Sequence, residues 1–331
     1  SARSDLISTQ LFIAMKPETN MQTSPNILMV RPANFGFNPE TAESNFYQQR
    51  DERKATVIRE LARTEFDGFV ALLRDQGVNV IVIEDTEDPI KTDAVFPNNW
   101  FSTHADGKLL LYPMYSPNRR LERRKDLIEE LMRLNFRVGE IVDLSFFEKD
   151  GQFLEGTGSM VMDHKSKLIY AGYSERTHKL PLDYVGKLLG YEVVGFNAVQ
   201  EIDGKVSPIY HTNVMMHVGT DLAVVCLDSI PKASEKLRVQ KKLTDSGKKI
   251  VPIMAKQKFN FAGNMLEVSN DGGEKFTVMS QSALDSLNVG QIQLIEKYTT
   301  IISPNIPTIE KLGGGSARCM MAEIFLPGKR S

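Results

Sequence analysis

Cys319, His211 and Glu155 are the residues of this chain whose types could do chemistry together. Cys319 follows the run Gly313-Gly314-Gly315-Ser316-Ala317-Arg318 and precedes an apolar stretch, Met320 to Leu326, that reads as a strand. Three glycines in a row do not build a helix; they suit backbone that turns at positive φ or approaches another group closely. A thiol just past such a turn, beside an arginine, is a candidate nucleophile. Only a few per cent of a free thiol is ionised near neutrality, so it needs a base or a cation close by. His211, in Ile209-Tyr-His-Thr-Asn-Val214, is placed to act as acid and base. Glu155, between Phe153-Leu154 and Gly156-Thr157-Gly158, is a carboxylate in apolar and glycine surroundings. If buried it requires a partner, which His211 or a substrate nitrogen would provide.

The remaining polar residues read more plainly. Asn98 and Asn99 stand before Trp100-Phe101 at an equivalent mouth position, whereas Gly263-Asn264 reads as a turn and nothing more. His104, His164, His178 and His217 read as structural or surface residues, and Cys226, inside Leu222-Ala-Val-Val-Cys-Leu227, as a buried small hydrophobe. The basic cluster Arg119-Arg120-Leu-Glu-Arg123-Arg124-Lys125 reads as the solvated start of a helix. No paired cysteines and no His-x-x-x-His spacing suggest zinc, and no glycine run is followed by the Lys-Ser/Thr of a phosphate loop. Neither a metal nor a cofactor is expected.

Residues so far apart in sequence must be gathered by the fold, and a repeat explains how. Segments opening near Phe96, Phe153, Ile209, Phe261 and Gly315 recur roughly every 55 residues. Each begins with a small or polar cluster and runs into an apolar strand. In the first four a turn follows, Asp106-Gly107-Lys108 or Asn270-Asp271-Gly272-Gly273 for example, and then a second strand. Helices are expected over 121–134, 181–189, 234–246 and 282–298, with further strands such as 136–142 and 191–194 after them. The unit is ββαβ. The strands 26–31 and 79–83, with a helix inside 40–74, would join the last segment to make a fifth unit and close a ring. One α/β domain over residues 1–331 is expected, a five-bladed propeller whose five opening clusters converge.

Composition sets the outer limits. The 331 residues are 41% hydrophobic and 25% charged with a formal charge of −2, as in a soluble globular protein. That balance gives no reason to expect nucleic acid or an anionic membrane surface. Two cysteines fit a reducing compartment, no apolar run nears the ~20 residues of a membrane span, and residues at the N-terminus lack the pattern of a leader. A cytoplasmic protein is expected. Nothing in the pattern of 52–74 decides whether that helix is a homo-oligomer face.

The motifs Glu155-Gly-Thr-Gly158, Ser174-Glu-Arg176-Thr177, His211-Thr-Asn213 and Gly313-Gly-Gly315…Cys319-Met320 resemble, in order, those of the guanidine-modifying pentein enzymes. These are the arginine deiminases, dimethylarginine dimethylaminohydrolases and amidinotransferases. The stretches Met29-Val-Arg-Pro-Ala-Asn34-Phe-Gly-Phe-Asn38 and Phe96-Pro-Asn-Asn-Trp100 are most similar to the bacterial citrulline-utilisation hydrolase group. The resemblance implies a five-bladed α/β propeller. It implies Cys319 as the nucleophile on a guanidinium or ureido carbon, His211 as acid and base, and Glu155 as the carboxylate on substrate nitrogens. Arg176 would pair with a substrate α-carboxylate, and Asn38, Asn98, Asn99 and Asn213 would complete the substrate site.

Two positions depart from the family pattern. Asn99 and Asn213 stand where deiminases carry aspartates, and an uncharged amide suits a neutral ureido group better than a cation. The expected reaction is hydrolysis of a C–N bond in a citrulline- or arginine-like amino acid. Amidino transfer to an amine shares the first half of that reaction and stays open. A non-catalytic, partner-binding propeller would be expected to lack the cysteine or the histidine, and both are in place.

Overall fold

The computed structural model describes residues 21–328. The N-terminal segment in which no leader was expected lies outside them. Within the described residues five three-stranded sheets follow one plan: an antiparallel pair, then a helical crossover to a third strand parallel to the second. One sheet contains Phe101–Thr103, Lys108–Leu111 and Glu140–Asp143, and the next Val161–Asp163, Leu168–Tyr173 and Glu192–Asn197. The third comprises Met216–Val218, Leu222–Val225 and Lys249–Pro252, and the fourth Leu266–Ser269, Lys275–Val278 and Thr300–Ile302. The fifth draws on both ends of the chain. Ala322–Glu323 lies antiparallel on Asn26–Arg31, which runs parallel to Asn79–Glu84, so that Ile27 sits opposite both Glu323 and Val80.

Burial accounts for these elements. Leu222–Val225 is apolar throughout and wholly buried, as expected of a central strand covered on both faces. The long helix Ala55–Asp75 buries Ile58, Ala62, Phe66, Phe69, Val70 and Leu73, a stripe at steps of three and four. That stripe packs against the sheet built from the two chain ends. No helix among the described residues is long and apolar enough to cross a membrane.

Several boundaries differ from the sequence reading. The helix expected over 121–134 is Lys125–Arg133, preceded by a 3-10 turn, Pro117–Glu122. The strand expected over 136–142 is Glu140–Asp143, because Phe136 is buried in the core and bridges Gly328 instead. The helix expected over 282–298 is two, Gln281–Ser286 and Val289–Glu296, since Ser280 and Asn288 each cap a new start with their side chains. An additional hairpin, Val199–Ile202 with Lys205–Pro208, turns at Asp203 and Gly204, both at positive φ. Its Asp-Gly signal is plain in the sequence but falls outside the repeat.

Candidate active site

Every sheet is entered through a short turn one residue or so before its first strand. Pro97–Asn99, Gly156–Ser159 and Thr212–Val214 are three of these, and Ala317–Met320 is the last. In the fourth sheet the entry is Phe261 to Asn264, with Phe261 at φ 61°. Side chains tie the turns together in series. Asn98 Nδ2 donates to Thr157 Oγ1 (3.2 Å), Thr212 Oγ1 to the Ser159 carbonyl (2.6 Å), and Asn264 Nδ2 to the Asn213 carbonyl (3.0 Å). The Arg318 N–H completes the series by donating to Asn264 Oδ1 at 3.1 Å. The opening clusters meet, as the repeat implied.

Cys319 therefore sits in a 3-10 turn rather than on a loop-to-strand corner, and the strand after it is reduced to Ala322–Glu323. The glycines serve both expected uses, positive φ and close approach, although Gly313 itself is helical. Gly313 closes the helix Pro307–Gly313, and Gly314, at φ 61°, caps it in the left-handed region. A Cβ on Gly313 would lie 2.7 Å from the Phe96 ring, so the second requirement there is close approach. The thiol is buried. It accepts from Asn213 Nδ2 at 3.5 Å and Asn264 Nδ2 at 3.4 Å, and donates to Asn264 Oδ1 at 3.7 Å.

His211 Nε2 lies 2.7 Å from Glu155 Oε2, the shortest link among the expected catalytic groups. Glu155 is fully buried; its Oε1 accepts from the Tyr115 N–H (3.0 Å), and Arg176 Nη1 stands 3.5 Å from Oε2. Burial would raise this carboxyl, but Arg176, His211 and Arg119 outweigh it and hold it down to about 2. Burial lowers His211 to about 4 against the pull of Glu155. The resting pair is carboxylate and neutral imidazole. A carboxylate can only accept, so Nε2 carries the proton and Nδ1 keeps its lone pair, ready to act as a base.

Gly158 makes room for this arrangement. A Cβ there would lie 2.5 Å from Asn99 Nδ2 and 2.9 Å from His211 Nδ1. Gly158→Ala is expected to displace both side chains and lower turnover about 100-fold with little loss of secondary structure, since sub-ångström misplacement of catalytic groups costs that much. Steady-state kinetics beside far-UV circular dichroism would check it, and near-normal turnover would show the contact to be slack.

Four histidines, three of them buried and His164 partly so, predict acid sensitivity. Burial holds His104 and His211 down to about 4, and His164 and His217 down to about 3. Below the ordinary value near 6.5 the unfolded chain binds protons that the folded chain refuses, so stability falls as pH drops. The loss is on the order of 2 kcal/mol per histidine by pH 5. Thermal midpoints measured from pH 8 to 4 should be flat above pH 7 and fall steeply below 6.5. A flat profile down to pH 5 would contradict these shifts.

The other expected site residues divide. Asn99 lines the cavity at Cys319, together with Asp93, Arg119, Arg176 and His211. Asn98 and Asn38 do not. Asn98 holds Thr157, while Asn38 caps the helix Pro39–Ala42 and donates to Asp93 Oδ2 at 2.7 Å. Asn213 faces the sulfur. Arg176, expected on a substrate carboxylate, spends its donors on Ser44 Oγ (2.7 Å) and the Thr41 carbonyl (2.9 Å) besides Glu155.

Three contributors went unread in the sequence. Arg119 is 3% exposed, not solvated. It grips Glu122 through Nε (2.9 Å) and Nη2 (2.8 Å) and donates from Nη1 to Asn99 Oδ1 at 2.8 Å. Asp93 is buried beside it, and Asn264 touches the sulfur. An arginine followed three residues later by a glutamate was the available signal for the first; the other two are single residues without a motif.

The cavity is about 10 Å³, room for one water. Segment 39–49 closes it: Asn45 Nδ2 donates to the Gly314 carbonyl (3.2 Å), the Tyr47 ring packs on Phe261 (5.0 Å) and Tyr210 (6.1 Å), and the Gln49 N–H reaches the Lys311 carbonyl (2.7 Å). No group of histidines, cysteines and carboxylates among the described residues could hold a metal ion.

Comparison with known proteins defines the family and the fold. The family model described as N,N dimethylarginine dimethylhydrolase, eukaryotic, matches residues 31–326. No curated protein matches the sequence. Among solved structures, the N-terminal domain of ArgZ, an arginine dihydrolase from the ornithine-ammonia cycle in cyanobacteria, is similar with a TM-score of 0.68 at 18% identity. That match covers 91% of this chain and 99% of that one. Unliganded AgrE gives 0.67 at 17%, over 92% of this chain and 40% of AgrE. A dimethylarginine dimethylaminohydrolase adduct with 4-chloro-2-hydroxymethylpyridine gives 0.62 at 14%, over 91% and 100%. Such identities speak to the fold, which is that of the guanidine-modifying penteins. Within them, the chain belongs to the N,N-dimethylarginine dimethylhydrolase family.

Proposed function

We propose that this protein hydrolyses a C–N bond of a guanidino or ureido amino acid through a covalent intermediate on Cys319, and that it favours the ureido group. One observation carries the preference. Two buried polar atoms without partners, Asp93 Oδ1 and Asn99 Nδ2, belong to residues lining the cavity beside Cys319. Arg119 occupies Asn99 Oδ1, so the Asn99 amide must present its N–H. The site thus offers one acceptor and one donor. A ureido group, with N–H and C=O, answers both; a guanidinium has donors alone and leaves Asn99 facing another donor. Asp93 also qualifies the sequence argument, because it supplies the carboxylate that the asparagines were thought to leave to Glu155.

In the mechanism that follows, the Cys319 proton passes to His211 Nδ1 and the sulfur adds to the substrate carbon. The tetrahedral adduct collapses as His211 returns the proton to the leaving nitrogen, and the C–N bond breaks. Water, deprotonated by His211, then displaces the sulfur. Glu155 stabilises the transient imidazolium, and Arg176 holds Glu155 and the Ser44 region in place. The convergence of the five entry turns supports a closed, pseudo-fivefold propeller forming one domain, and the fifth sheet is where that ring would be joined.

The test is release of ammonia from citrulline and arginine, and of ammonia or methylated amine from methylated arginines, with mass spectrometry of Cys319. Citrulline is expected to turn over and leave a transient adduct. Turnover of arginine or its methylated forms without citrulline would overturn the ureido preference and keep the hydrolase. No adduct, ammonia or methylated amine with any of them would overturn both.

A further inference from the structure

Asn213, whose amide touches Cys319, also lines a second cavity of about 20 Å³. That is space for one water-sized species. Strands Val161–Asp163, Met216–Val218 and Leu266–Ser269 wall it, with Arg318 and Glu323. The mechanism uses none of its charged or titratable side chains.

His217, 3% exposed, is the telling residue. Burial keeps its imidazole neutral, and one ring nitrogen bonds the Met265 backbone as a donor. Nε2 has no partner, so it is the other nitrogen and carries a bare lone pair. Glu267, also buried, takes the Thr220 N–H on both carboxylate oxygens at 3.1 Å and the Thr220 hydroxyl on Oε1, which leaves Oε2 with a single shared donor. His217 and Glu267 both line the cavity beside Gly219, where a Cβ would lie 2.5 Å from Glu267 Oε2 and force it to move, and 3.3 Å from His217 Nε2. As a carboxylate Glu267 cannot satisfy His217; burial pushes its pKa up, and a positive charge beside it would hold it ionised. Two carboxylates in the lining, Glu267 and Glu323, are matched by one guanidinium, Arg318, which is already paired with Glu323 at 3.1 Å. A group that donates and carries positive charge answers both demands, and the site has too few ligands for a metal. Ammonium has the size of water and four N–H donors.

We propose that this cavity binds ammonium, which donates to His217 Nε2 and to the Glu267 carboxylate. The choice of ammonium over other small cations rests on the proposed hydrolysis, which produces it directly behind the nucleophile. Binding itself requires no turnover.

The test uses the full chain with ammonium, potassium and sodium chlorides at equal ionic strength. The thermal midpoint is expected to rise in a saturable way with ammonium alone. In nuclear magnetic resonance with ¹⁵N-ammonium, an enclosed ion should show slowly exchanging protons. Gly219→Ala places a methyl in the space and should weaken the apparent affinity about tenfold or more, the worth of one charged hydrogen bond. Equal response to potassium, no response to any salt, or undiminished ammonium affinity in Gly219→Ala would overturn the proposal. Should that variant fail to fold, the resonance measurement on the unaltered chain decides: absence of a slowly exchanging signal overturns the site. Ammonium binding in a chain that releases ammonia or methylated amine from no guanidino or ureido compound would uphold the site and defeat the hydrolase reading instead.

Discussion

Replacing Cys319 with serine is expected to reduce turnover by about 10⁴-fold or more, the usual cost of losing a covalent nucleophile. The fold should survive. The side chain is nearly the same size, and the Asn213 and Asn264 amides that meet the sulfur can donate equally to a hydroxyl. The serine variant should still bind substrate but show no mass increase at residue 319. Residual turnover near the wild-type rate would mean that the thiol is not the nucleophile, and His211 and Glu155 would then have to act on water directly.

Arg119→Ala should have the largest effect on stability, and a large one on activity for a separate reason. Glu122 is 2% exposed and Asp93 is equally buried, so the substitution would leave two carboxylates facing each other without the guanidinium between them. Burial already raises both against the attraction of Arg119. Breaking a buried pair in this way costs about 3–5 kcal/mol. Activity should fall because nothing would then fix which end of the Asn99 amide faces the substrate. The double change Arg119→Met with Glu122→Leu separates these effects. It should restore much of the stability, since apolar replacements of buried pairs are often neutral, while activity stays low. Recovery of both together would show that Arg119 serves stability alone.

The repeat was legible because each unit announces itself with turn chemistry that few other structures tolerate. Asp106-Gly107 and Asn270 to Gly273 could hardly be anything but hairpin turns. Strand ends were less legible: Phe136 looks like strand, yet the core claims it first. In the site, Cys319 stood out by the glycine run before it, and His211 and Glu155 because a histidine and a carboxylate set among apolar residues and glycines need partners. Arg119 hid in a basic cluster because sequence cannot say which of several arginines turns inward. Asp93, Asn264 and the closing segment 39–49 act through contacts with residues distant in the chain, and such contacts have no local signature.

The sheet formed from both chain ends has a consequence for synthesis. Asn26–Arg31 leaves the ribosome early, but its antiparallel neighbour Ala322–Glu323 arrives only after nearly all the other residues. Until then that strand presents an unpaired edge, a liability that a growing chain must keep from pairing elsewhere. Cys319, the proposed nucleophile, lies three residues before the late strand, so a product cut short before Cys319 would lack that thiol. The same feature makes folding depend on a contact between residues some 300 positions apart, Ser24 with Ile324, which favours slow, all-or-none closure. On the proposed mechanism a copy lacking that late strand is inert, because Cys319 takes its place beside His211 only once the segment around it has been made.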